Sequence, residues 1–96
     1  MTGIYAIRRA ILSTLCAYCN PQSLDTIACH DKIILTEAEP AMLRKQWLAL
    51  QEAGYLRAVP GYGGEYCSLA PAVRRKLEAG WAMNDDEFLF GPEALR

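Results

Sequence analysis

One histidine, no long apolar run and no strong charge of either sign are the first limits that this 96-residue chain sets on its function. The lone histidine, His30, lies between Cys29 and Asp31. A Cys–His nucleophile pair needs two side chains that meet across space, which neighbours on one helix do not, so catalysis is not expected. The glycines make no phosphate-cradling loop either. Gly61, Gly63 and Gly64 fall between two strand-like runs, without the strand–loop–helix context that such a loop requires.

No apolar run approaches the eighteen or more residues of a membrane span, and the opening MTGIYAIRRA lacks the charged-then-apolar layout of a secretory signal. The expectation is a cytoplasmic protein without membrane attachment, whose cysteines (Cys16, Cys19, Cys29 and Cys67) remain thiols. Cys16-Ala-Tyr-Cys19 has the two-residue gap of a zinc knuckle, and Cys29, His30 and Cys67 could complete a ligand set. A single Cys-x-x-Cys at a helix end, with no second pair, is weak ground for a metal. Neither a metal nor any other cofactor is expected, and Cys67, two residues before Leu69, should point inward with it. No internal repeat or low-complexity segment is present.

The net charge of −1 is unevenly spread. Residues 1–83 carry nine Lys and Arg against seven Asp and Glu, a balance of +2, whereas residues 84–96 carry four acids against Arg96, a balance of −3. The division is therefore a folded domain over 1–83 and an acidic, apolar tail over 84–96. A body at +2 implies weak general affinity for phosphate backbones unless its basic residues share one face.

Ile4, Ile7, Ile11, Leu15 and Tyr18 recur at helical spacing, predicting a first helix from Ile4 to about Cys19, with Arg8 and Arg9 outside the apolar stripe and solvated. Ser23 is the expected N-cap of a second helix that carries Leu24, Ile27 and Ala28 inward and ends near Asp31. Lys32–Glu39 reads either as a short strand or as the tail of that helix. Thr36 with Glu39 fits a capping box, but a third helix beginning at Pro40 loses no backbone bond and is the preferred start. Leu43, Trp47 and Leu50 form the buried face of this helix, which Gly54 terminates.

Tyr55–Val59 and Tyr66–Leu69 carry strand-forming residues on either side of the glycine-rich turn and predict a hairpin. Pro71 opens a last helix through Arg74, Arg75, Lys76 and Leu77, which either continues past Gly80 or breaks there. The fold class is mainly α with a small β-hairpin.

From Leu43 to Leu77 the chain resembles the winged helix-turn-helix domains of bacterial transcription regulators of the PadR, MarR and ArsR kinds. The matching residues are Trp47, Leu50 and Gly54, followed by the wing and by Leu69-Ala70-Pro71. Trp47 stands where a leucine is usual, and Ala70 replaces the threonine that would cap the last helix. The resemblance implies a three-helix core, a two-stranded wing and a C-terminal helix, with duplex-DNA binding and transcription regulation, in a dimer that places two third helices in successive major grooves.

On that reading Ala41, Arg44, Lys45 and Gln46 lie on or beside the exposed face of the third helix, where Arg and Gln can contact bases. Arg57, Arg74 and Arg75 supply phosphate contacts. Glu37 and Glu39, near the helix start, oppose phosphate. A reading of a different class makes the domain a protein-interaction module, with Tyr55, Tyr62 and Tyr66 of the wing and Phe88, Leu89 and Phe90 of the tail as its contact surface. That tail cluster either folds back on the core or meets another chain.

Overall fold

Helix α1 (Ile4–Cys16) is the element against which most of the others are laid. In the computed structural model, which describes residues 3–18, 20–61 and 66–79, its Ile7, Ile11, Leu12 and Leu15 are all buried. Full burial of such a side chain stabilises by about 1.5–3 kcal/mol, so this one stripe is a main source of stability. Thr14, also buried, returns its hydroxyl to the Ala10 carbonyl at 2.7 Å and so leaves no unpaired polar atom. The helix ends three residues before Cys19, and Asn20-Pro21 leads into an extended segment.

That segment is strand β1 (Gln22–Ser23), which the sequence reading did not anticipate. It pairs antiparallel with β3 (Tyr66–Leu69), Gln22 opposite Cys67 and Ser23 opposite Tyr66. β3 pairs on its other side with β2 (Leu56–Ala58), Leu56 opposite Leu69 and Ala58 opposite Cys67. The expected two-stranded wing is thus part of a three-stranded antiparallel sheet of order β1-β3-β2. Two polar residues have no alternation from which a strand can be read, and only the pairing with β3 makes them one.

The second helix comes in two pieces. Ser23 caps α2 (Leu24–Ala28) as expected, its Oγ accepting the Thr26 N–H at 3.2 Å. The chain then breaks at Cys29-His30 and restarts as α3 (Asp31–Ile34), with the His30 Nδ1 accepting the Lys32 N–H at 3.2 Å. Lys32–Glu39 is therefore neither a strand nor a continuation of one helix. After Ile34 it turns through Glu37, whose φ of 56° is left-handed, and the buried Thr36 hydroxyl holds that turn by donating to the Ile33 carbonyl and accepting the Ala38 N–H. Of the Ile33-Ile34-Leu35 triplet only Ile33 is buried.

Helix α4 (Pro40–Glu52) begins at the proline, in the first-turn position where its missing N–H costs nothing. Leu43, Trp47 and Leu50 are buried, as the spacing predicts. Gly54, at φ +91°, closes the helix: its N–H bonds the Gln51 carbonyl and the Tyr55 N–H bonds the Leu50 carbonyl, the paired bonds of a Schellman stop. Tyr55, buried among the core residues, then leads into β2. Helix α5 (Pro71–Glu78) follows β3, with Val73 buried. Among the described residues no helix is long and apolar enough to cross a membrane.

Candidate nucleic-acid interface

The two faces of α4 are set by the same periodicity offset by one residue. Leu43, Gln46, Trp47 and Leu50 face the core, while Ala41, Arg44, Lys45, Leu48 and Glu52 are exposed. The outward face therefore carries two cations side by side and one large apolar side chain, Leu48, which is 50% exposed. Leu48 was not singled out from the sequence, although it stands four residues after Arg44 and three after Lys45 on the helix wheel. A guanidinium can bond guanine bidentately and an apolar group can meet a thymine methyl, so this face can present both kinds of base contact. At its N-terminal end Glu39 is the capping residue without a side-chain cap bond, and Glu37 is exposed just before it.

Two of the expected contact residues are used elsewhere. Gln46 is only 3% exposed, which corrects its placement on or beside the outer face. Its Oε1 accepts from the Arg8 Nε at 2.8 Å, and its Nε2 donates to the Met42 Sδ at 3.4 Å. Arg8, expected to be solvated, is thereby half-buried against α4. The amide is satisfied inside the domain, joining α1 to α4, and has no group to offer a base.

Arg74 is the second. Its guanidinium donates to the carbonyls of Leu15 and Cys16 at 3.3 Å and of Tyr18 at 3.1 Å, so the side chain caps the C-terminal end of α1. The last carbonyls of a helix lack intrahelical partners and carry the negative end of the helix dipole, and a planar cation with several donors serves them well. Its neighbour Arg75 is exposed.

Arg57, exposed on β2, and Arg75 line one shallow groove together with Gly54, Ala70, Pro71 and Ala72. Four of the exposed cations thus fall into two pairs, Arg44 with Lys45 and Arg57 with Arg75; Lys32 and Lys76 are exposed as well. Of the interaction surface expected on the wing, Tyr55 is buried, 2% exposed, and Tyr66 half-buried. Tyr62 and the Phe88-Leu89-Phe90 cluster lie outside the described residues, as does the continuation past Gly80.

The thiols are dispersed. Cys16 is half-buried, Cys29 exposed and Cys67 buried beside Leu69 in β3, the last as strand alternation predicts; Cys19 lies outside the described residues. His30 spends one ring nitrogen on its helix cap and stands edge-on to Tyr18, with ring centroids 6.3 Å apart. Among the described residues no three His, Cys, Asp or Glu side chains gather as a metal site would need. Comparison with protein-family models, curated proteins and solved structures found no match to this chain.

Proposed function

We propose that this is a winged-helix protein that binds duplex DNA and acts in transcription regulation, with α4 entering the major groove and the β2–β3 hairpin lying along the flanking backbone. The observation that carries this reading is the outer face of α4: Arg44 and Lys45 adjacent, Ala41 and Leu48 beside them, on a helix fixed from behind by Leu43, Gln46, Trp47 and Leu50. A reading helix has to be rigid and to display such groups along one side. Support also comes from the order of elements, in which short helices precede α4, a hairpin follows it, and β1 completes a sheet of order β1-β3-β2.

Arg44, Lys45, Arg57 and Arg75, opposed by Glu37 and Glu39, make a modest electrostatic binder. A dimer would double the phosphate contacts, which makes pairing of two copies part of the proposal. The test is a comparison of variants on a fluorescent duplex of mixed sequence. Arg44→Ala and Lys45→Ala each weaken binding on this reading, whereas Leu48→Ala changes preference among sequences more than overall affinity. Equal binding by wild type and the Arg44→Ala/Lys45→Ala double variant would remove the proposal.

A rival reading, a winged-helix module for protein interaction, gains from the exposure of Ile34 (57%) and Leu35 (79%) on and just after α3, and loses Tyr55 to the core.

A further inference from the structure

Two large apolar side chains stand in solvent at the end of α3. Ile34 and Leu35 are each more than half exposed, although Ile33 beside them is buried in the core. They form a ridge between two grooves. On one side Leu35, with Ala6 and Ala10 of α1, lines a groove that also holds Arg9, Ser13 and Lys32. On the other, Ile34 lines a groove with Ala28, Pro40, Leu43 and Glu37.

The two sides carry opposite charge. Lys32 is exposed, and its Nζ donates to the Ser13 Oγ at 2.9 Å, which leaves further ammonium protons for another acceptor. Arg9, already partnered within the chain, adds to the positive sign there. Exposed Glu37 makes the other groove acidic, and Glu39 follows it at the start of α4. Asp31, also exposed, lines neither groove.

Such a patch is its own complement. An isologous contact sets a surface against its own copy after a half-turn, so a two-fold axis along the ridge brings the Lys32 groove of one chain over the Glu37 groove of the other. We propose that the Ile34–Leu35 ridge is the face through which two copies of this chain pair, with Leu35 meeting Leu35 near the axis and Lys32 of each chain facing Glu37 of the other. A uniformly acidic or basic partner would match one groove and be repelled by the other. The proposal rests on the DNA reading for the need of a pair and names the surface that makes it, but the contact itself requires no DNA.

Sedimentation of the full chain without DNA, over micromolar to millimolar concentrations, tests it. The expected result is a dimer in the wild type and a monomer in Leu35→Glu, with circular dichroism unchanged because the substituted position is exposed. Lys32→Glu and Glu37→Lys each set like charges together at both contacts and should weaken pairing by roughly tenfold or more. An equal mixture of those two variants should pair as tightly as wild type, since each chain then offers the charge that the other lacks. A wild-type chain that stays monomeric would overturn the proposal by assigning the ridge to a different partner, and a dimer that survives Leu35→Glu would overturn it by placing the contact elsewhere. A mixture that pairs no better than its components would overturn the charge match on which it stands. DNA contact through α4 is tested separately by the Arg44→Ala/Lys45→Ala variant, so the two readings can fail independently.

Discussion

Replacing Arg74 by alanine separates two roles that its run Arg74-Arg75-Lys76 leaves indistinguishable. The side chain reaches three carbonyls at the end of α1, 56 to 59 residues away in sequence, at 3.1–3.3 Å. A hydrogen bond with a charged partner contributes about 1.5–3 kcal/mol, and these bonds are long and only part-buried, so the low end applies. Adding a few tenths for the charge at the helix C-terminus gives a loss of about 2 kcal/mol. For a domain near 100 residues that lowers Tm by roughly 8–16 °C.

Circular dichroism melts, with urea unfolding to confirm an unchanged slope, would measure it. Arg75→Ala, at an exposed position, should stay within about 0.5 kcal/mol of wild type. Arg74→Lys should fall between, keeping the charge and losing the planar fork. Equal stabilities of Arg74→Ala and Arg75→Ala would refute the capping role and return Arg74 to the surface.

Gln46→Ala removes the acceptor of the Arg8 Nε and leaves a small void, for an expected loss of about 2 kcal/mol in chemical unfolding, with no change in preference among DNA sequences. Gly54→Ala meets no atom within 4 Å of the added Cβ, so its cost is that of a left-handed backbone alone, about 1 kcal/mol or a fall in Tm of roughly 4–8 °C.

The parts of this fold that are legible in the sequence are those fixed by local rules. Leu43, Trp47 and Leu50 announce the buried face of α4 by spacing, Pro40 and Gly54 mark its ends, and the glycine-rich turn marks the hairpin. What escaped depends on distant partners. Gln22-Ser23 becomes a strand only because Tyr66 and Cys67 lie beside it. Gln46 looks like a surface residue until Arg8, 38 positions earlier, supplies its partner, and Arg74 looks solvated until the end of α1 is placed next to it. The break between α2 and α3 is local but ambiguous, because His30 can continue a helix as easily as cap one. Of the residues expected to contact DNA, Ala41, Arg44, Lys45, Arg57 and Arg75 are exposed as the sequence suggests, Gln46 and Arg74 are turned to partners within the domain, and Leu48 lies exposed beside Arg44 and Lys45.

Whether Arg44, Lys45, Arg57 and Arg75 meet DNA phosphates is read from the salt dependence of binding. Each neutralised phosphate contributes about 0.9 to the slope of log affinity against log salt, so four predict a slope of about −3.6 per protomer and a fall of roughly 150-fold between 50 and 200 mM. Arg44→Ala should reduce the slope by about 0.9. No binding at 50 mM, or a slope near zero that Arg44→Ala leaves unchanged, would contradict the account.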